Sequence, residues 1–223
     1  MNLQRLESLV GLENLNKIKG KNILIVGIGG VGSYTLETLV RSGVENITII
    51  DYDKIDETNL NRQIITNLNN IGKLKVNEAV SRYTNINESL KINALPIFLN
   101  EENIDLINIE QYDYVVDACD SISTKVLLIN ECINKNIKII SSMGTAKKID
   151  ATKLKITTLN KTSYDKLAKK LRSLIDKKLQ NKITVVSSTE EVKNIKVLGS
   201  TSYVPATAGL LITNYIINDI LNK

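Results

Sequence analysis

The chain has 223 residues, 43% of them hydrophobic and 24% charged, with 29 basic against 24 acidic side chains and a net charge of +5. That composition supplies the core of one large domain and excludes bulk disorder. With no His and two cysteines, Cys119 and Cys132, it excludes Ser-His-Asp triads, histidine zinc sites and a four-cysteine zinc site within one chain.

In chain order, the first seven residues carry no apolar signal core, so secretion is not expected. A β-branched run predicts a strand at 23–26, and helical spacing predicts a helix at 31–41. Further strands are expected at 47–50, 90–95, 114–116 and 137–140, with helices at 73–83 and around 125–132. This alternation predicts an α/β fold, Rossmann-like, with a mostly parallel sheet, helices on both faces and right-handed crossovers. After Met143-Gly144 the pattern changes. Residues 154–158 alternate like a half-exposed strand, 165–179 suit a basic amphipathic helix, and 183–186 suit a short strand. A final helix is expected at 204–221, with Pro205 in its first turn. Asn214, Asn218 and Asp219 interrupt its apolar run, so no membrane span is expected. Without a repeat or linker, residues 1–223 read as a single domain whose C-terminal half extends the sheet. The two thiols fit a reducing cytoplasm.

Charge is uneven. Residues 147–182 hold 12 basic and 3 acidic side chains, a local +9, so the rest of the chain carries −4. Such a block is either a solvated lysine face or a surface for an anionic polymer such as RNA. Its candidate contacts are Lys147, Lys148, Lys169, Lys170 and Arg172.

The strand at 23–26 runs into Gly27-Ile-Gly29-Gly30-Val-Gly32 and then a helix. Glycines at this spacing permit a tight turn, close backbone approach to phosphate, and close helix packing. The helix start adds free N–H groups. Ser33 follows Gly32 where a P-loop needs Lys. Asp51 ends the second strand, where an acidic side chain accepts hydrogen bonds from ribose hydroxyls. NAD, S-adenosylmethionine and ATP all satisfy these residues.

The polar stretch after Asp51 decides between them. It carries Asp53, Asn59, Arg62 and Gln63, and Lys75 follows. Asp117-Ala-Cys-Asp120-Ser121 ends another strand. Two cations and a carboxylate at the ligand end of a sheet suit a triphosphate with Mg²⁺; an ion-pair network among Asp51, Arg62, Lys75 and Asp120 is the plainer alternative.

Together, Gly27-x-Gly-Gly-x-Gly32, Asp51-x-Asp53, Asn59-x-x-Arg62-Gln63, Lys75 and Asp117-x-x-Asp120-Ser121 resemble the ubiquitin-activating-enzyme-like (ThiF/MoeB-type) adenylating superfamily. Three later stretches, at 142–146, 161–172 and 198–209, resemble its tRNA threonylcarbamoyladenosine dehydratases. The resemblance implies ATP-dependent dehydration of threonylcarbamoyladenosine at tRNA position 37, through a carboxyl adenylate. It implies that Gly27, Gly29, Gly30, Gly32, Asp53, Asn59 and Gln63 surround ATP, and that Asp51 holds the ribose. Arg62 and Lys75 would bind the triphosphate, and Asp120 would hold Mg²⁺. Residues 20–145 would form the nucleotide-binding half, and 146–223 the half facing tRNA. Arg5 resembles the superfamily's N-terminal arginine that reaches into the partner subunit, which implies a homodimer. The resemblance leaves room for a monovalent cation, Na⁺ or K⁺, and for a sulfur-acceptor protein partner.

The chain also departs from family patterns. Lys166 stands where proline is usual, and no thiol follows Cys132. The competing readings are an adenylyltransferase for a sulfur-carrier or ubiquitin-like protein, a nicotinamide dehydrogenase, and a nucleotide-sensing protein without catalysis. The first lacks zinc-holding cysteine pairs and a plausible thioester cysteine. The second lacks a Tyr with Lys four residues on. Intact Arg62, Lys75 and Asp120 weigh against the third.

Overall fold

The computed structural model describes residues 1–192, 196–197 and 199–222. Leu198, which opens the stretch at 198–209, lies outside the described residues. Among these residues, seven strands form one sheet: β1 (Asn22–Val26), β2 (Asn46–Ile50), β3 (Lys91–Leu95), β4 (Tyr114–Asp117), β5 (Lys138–Ser142), β6 (Leu154–Thr158) and β7 (Thr184–Ser188). Their spatial order is β3-β2-β1-β4-β5-β7-β6, parallel throughout except that β6 runs antiparallel to β7 at the edge. The C-terminal half thus adds β7 and β6 to the sheet begun by the first half.

Side-chain alternation explains why the central strands are apolar almost without break. In β1, Ile23 and Ile25 enter one core while Leu24 and Val26 enter the other. Tyr114 and Val116 of β4 face the first core and Val115 the second. Both faces are covered, so both parities must be hydrophobic. The first face meets α2 (Leu12–Lys19), α3 (Gly32–Arg41), α4 (Lys75–Thr84) and α7 (Tyr203–Leu221). The second meets α5 (Ile122–Asn134) and α6 (Lys166–Leu174).

Length and composition alone would let α7 cross a membrane despite its three polar interruptions, and half of it is buried inside the fold. Its apolar residues serve the core. Gly209 lets α7 press against α3, because a Cβ there would lie 2.5 Å from the Val31 carbonyl. Thr213 and Thr38 then share a hydrogen bond of 2.6 Å across the contact.

Two differences from the sequence expectation have local causes. The helix at 165–179 stops at Leu174, because Ile175 is extended and the Gln180 amide donates to the Arg172 and Ile175 carbonyls at the helix end. Two short helices precede β1: α1 (Gln4–Val10) and α2. α1 buries no residue, so although Leu6, Leu9 and Val10 have helical spacing, their apolar face covers no part of the core.

Candidate functional site

The chain crosses from β1 to β2 on one side of the sheet and returns to β4 on the other, so the strand order reverses between β1 and β4. Loops part at such a point and leave a crevice at the carboxyl ends of the strands. A cavity of about 1080 Å³ opens there.

The glycine loop forms its floor. Gly27 has φ +84°, and a Cβ on it would meet Ala118 backbone at 2.8 Å. The adjacent strand therefore needs glycine at this point. Gly29 and Gly30 line the cavity, and a Cβ on Gly29 would meet only the Gln63 amide, at 3.7 Å. Gly32 does not line it. A Cβ there would overlap the Gly27 carbonyl at 1.8 Å, so its part is to pack α3 onto the loop rather than to touch a ligand.

Asp51 and Lys75 are buried beside this loop. Asp51 accepts N–H bonds from Ile28 and Asp53, both 2.9 Å. Burial lifts its carboxyl above the ordinary value while the nearby Lys75 ammonium opposes the shift. Lys75 Nζ lies 2.7 Å from Asp53 Oδ2 and 3.9 Å from Asp51 Oδ1. Asn59 is buried in a 3₁₀ turn, where it completes a capping box with Asp56. That turn presents Arg62, whose guanidinium donates to the Thr58 carbonyl at 2.6 Å. Arg62 and Asp120 line the cavity without pairing to each other. The ion-pair alternative accordingly holds for Lys75 and its aspartates, and not for Arg62. Gln63 Oε1 is buried without a hydrogen-bond partner among the described residues, on the cavity wall.

Asp120 stands exposed at the end of β4, and Ser121 caps α5 after it. Beneath, Lys125 is fully buried and donates to both oxygens of Asp117 at 3.0 Å and to the Ser142 carbonyl at 2.8 Å. Ser141 Oγ donates to the same carboxylate at 2.5 Å. This buried pair ties β4, α5 and β5 together under the Asp120 loop. The sequence reading placed Asp117 in the motif but had no signal for its partner. Cys119 Sγ lies 3.2 Å from Asp117, and burial with that neighbouring carboxylate pushes its thiol well up.

The far wall is Met143, Gly144, Thr145 and Ala146, with Leu167 from α6. Exposed Tyr52 and Phe98, ring centroids 5.1 Å apart and edge to face, also line the cavity. Met143–Ala146 and Leu167 fall within the stretches at 142–146 and 161–172, whereas Tyr52 and Phe98 were not singled out in sequence, because isolated aromatic residues after strands carry no pattern.

The basic candidates divide. Lys169 and Lys170 are exposed on α6. Lys147 is half-buried, with φ +62° and its N–H on the Gly199 carbonyl. Lys148 corrects the sequence expectation. It is 2% exposed, its ammonium donates to the Ser188 carbonyl, and burial lowers its pKa against the pull of Asp165 and Glu190. Arg172 is also turned inward, onto the Leu159 and Thr162 carbonyls and the Thr162 hydroxyl. Lys166, on the same helix, and Lys177 and Lys178, beyond its end, are also exposed. Arg5 is exposed on α1 and outside the cavity of its own chain.

Could these residues hold ATP and a metal? The open backbone at Gly29, the cavity-lining Gly30, where a Cβ would lie 3.2 Å from Pro205, the unpartnered Gln63 carbonyl and the two cations fit a nucleotide triphosphate. No cluster of three metal-ligating side chains occurs among the described residues. Mg²⁺ characteristically takes one or two carboxylates and completes its shell with phosphates and water, which Asp120 fits.

The chain resembles known proteins over nearly its full length. A Bacillus subtilis tRNA threonylcarbamoyladenosine dehydratase is 35% identical over 237 residues, covering 97% of this chain and 93% of that protein. The crystal structure of the Escherichia coli tRNA N6-threonylcarbamoyladenosine dehydratase in complex with ATP superposes with a TM-score of 0.94 at 31% identity, covering 99% of this chain and 93% of the other. The same Escherichia coli enzyme in complex with AMP gives 0.93 at 31%, covering 98% and 93%. The sequence pattern of the ThiF family matches residues 2–223, and the chain belongs to that family.

Proposed function

We propose that this protein dehydrates threonylcarbamoyladenosine at position 37 of tRNA, with ATP as the activating substrate. The observation that carries the reading is one cavity with two unlike walls. The glycine loop, Asp51, Arg62 and Lys75 make a nucleotide wall; the 143–146 turn and Leu167 make an apolar and backbone wall large enough to admit a second substrate.

The chemistry follows from that division. Asp51 accepts the ribose hydroxyls, and Gly29 and Gly30 let the backbone approach the phosphates. The threonyl carboxylate attacks the α-phosphorus, and the P–O bond to pyrophosphate breaks. A neighbouring atom of the ureido group then attacks the activated carbonyl carbon, closes a ring and expels AMP. Negative charge builds on phosphate oxygens in the first step, where Arg62 and Lys75 are fixed to receive it. Asp120 would hold Mg²⁺, which neutralises phosphate charge when bound. A monovalent cation, Na⁺ or K⁺, is compatible with this scheme, and a sulfur-acceptor protein is not required by it.

The 146–223 half would face tRNA, with α6 giving lysines to the phosphate backbone, while residues 20–145 hold the nucleotide. Arg5 is exposed and lies outside its own cavity, so any role at the site would be in a homodimer, where it completes the partner's site. The two unpaired thiols suit a reducing cytoplasm.

Pyrophosphate release tests the reading. With ATP and Mg²⁺, release is expected only when threonylcarbamoylated tRNA is added. Release driven instead by a small sulfur-carrier protein assigns the chain to the competing adenylyltransferase chemistry.

A further inference from the structure

The residue before the α6 cap has no part in the nucleotide chemistry above. Tyr164 is 57% exposed and has φ +52°, a left-handed conformation that a bulky side chain adopts at a cost. Its neighbour Asp165 is buried. One carboxylate oxygen of Asp165 accepts the Ala168 N–H and caps α6; the other accepts the Gly144 N–H, both at 2.9 Å. Lys148 Nζ stands 4.0 Å from that second oxygen. The strained turn therefore sets the carboxylate inward, behind Gly144 of the cavity wall, and leaves the phenol ring in solvent. Leu167, three residues on, lines the cavity, and the exposed Lys169 lies two residues further along the same turn. The ring is tethered to the reaction wall on one side and to a cationic helix on the other.

We propose that Tyr164 is a stacking platform for an unpaired base of the anticodon loop beside the modified adenosine. The inference rests on the tRNA reading of the site. Single-stranded RNA loops are recognised by splayed bases stacked on aromatic rings, with neighbouring cations on the phosphates. An acidic protein surface would meet the lysines equally well but gives no use to a planar ring held out at a backbone cost.

The test uses the full chain, threonylcarbamoylated tRNA and three variants: Tyr164→Phe, Tyr164→Ala and Tyr164→Gly. Glycine adopts this φ freely, so Tyr164→Gly removes the ring without threatening the fold. KM for tRNA should rise about tenfold or more in the Gly and Ala variants. The maximal rate and KM for ATP should hold, and Tyr164→Phe should match the parent. An anticodon stem-loop with 2-aminopurine next to position 37 should be quenched by the parent and by Tyr164→Phe, and not by Tyr164→Gly. An unchanged KM in Tyr164→Gly, with an active parent enzyme, overturns the stacking alone. A parent enzyme inert toward the tRNA overturns the reading of the site and this inference with it. A loss confined to an acidic carrier protein, with tRNA kinetics untouched, assigns the surface to protein and also overturns the stacking.

Discussion

At the residue scale, the thiols separate the two adenylating chemistries. An enzyme that passes an acyl group to a protein needs a reactive thiolate. Burial pushes Cys132 up to about 12, and burial with the Asp117 carboxylate raises Cys119 further. Both therefore stay protonated at neutral pH. An internal attack by the ureido group needs no thiolate, since effective molarities for such closures reach roughly 10⁵ M or more. Cys119→Ala with Cys132→Ser should keep most of the dehydration rate. Arg62→Ala or Asp120→Ala should lose at least ~10²-fold in kcat, as removal of one preorganised charge does. A folded double cysteine variant without turnover, measured by AMP formation, contradicts this. Much of the residue-level picture was legible because each glycine and charge in the loop has a positional reason. The pair Lys147-Lys148 was not. Neighbouring lysines look alike in sequence, and the left-handed backbone at Lys147 and the buried acceptors around Lys148 decide which one turns inward.

At the element scale, α6 links surface charge to the cavity. Its buried side carries Ala168 and Leu171, Leu167 reaches the cavity, and Lys166, Lys169 and Lys170 remain outside. The double reversal Lys169→Glu with Lys170→Glu should weaken tRNA binding at least ~10-fold at physiological salt and reduce the log–log salt slope by about 2. ATP affinity, read by calorimetry, should not move. Equal tRNA affinity in the variant would remove α6 from the interface. The helix was legible from its 3.6 period, while its end was not. Gln180 reaches back across five residues to the Ile175 carbonyl, a side-chain cap that intrinsic helix propensity does not record.

At the scale of the whole molecule, the reversal of strand order fixes where the site must be. Strand and helix alternation was readable from β1 onward, and both parities of β1 and β4 are apolar because both sheet faces are covered. The antiparallel edge pairing of β6 was not, because a half-exposed alternating strand fits either direction. The assembly has its own test. Chains with Arg5→Ala keep an intact nucleotide site, and chains with Asp120→Ala keep the arginine. If Arg5 serves the partner, mixing the two inactive variants should restore turnover through one complete site per mixed dimer. If it serves its own chain, the mixture stays as inactive as its parts.

The central claim is that the tRNA's own carboxylate is adenylated and then displaced from within. Threonylcarbamoylated tRNA labelled with ¹⁸O in that carboxylate tests it most directly, with mass spectrometry of both the nucleoside and the AMP. The nucleoside should lose one water, and the AMP should carry one labelled oxygen, because the C–O bond breaks when the ring closes. An unchanged nucleoside mass, or a lighter nucleoside accompanied by unlabelled AMP, would contradict the account.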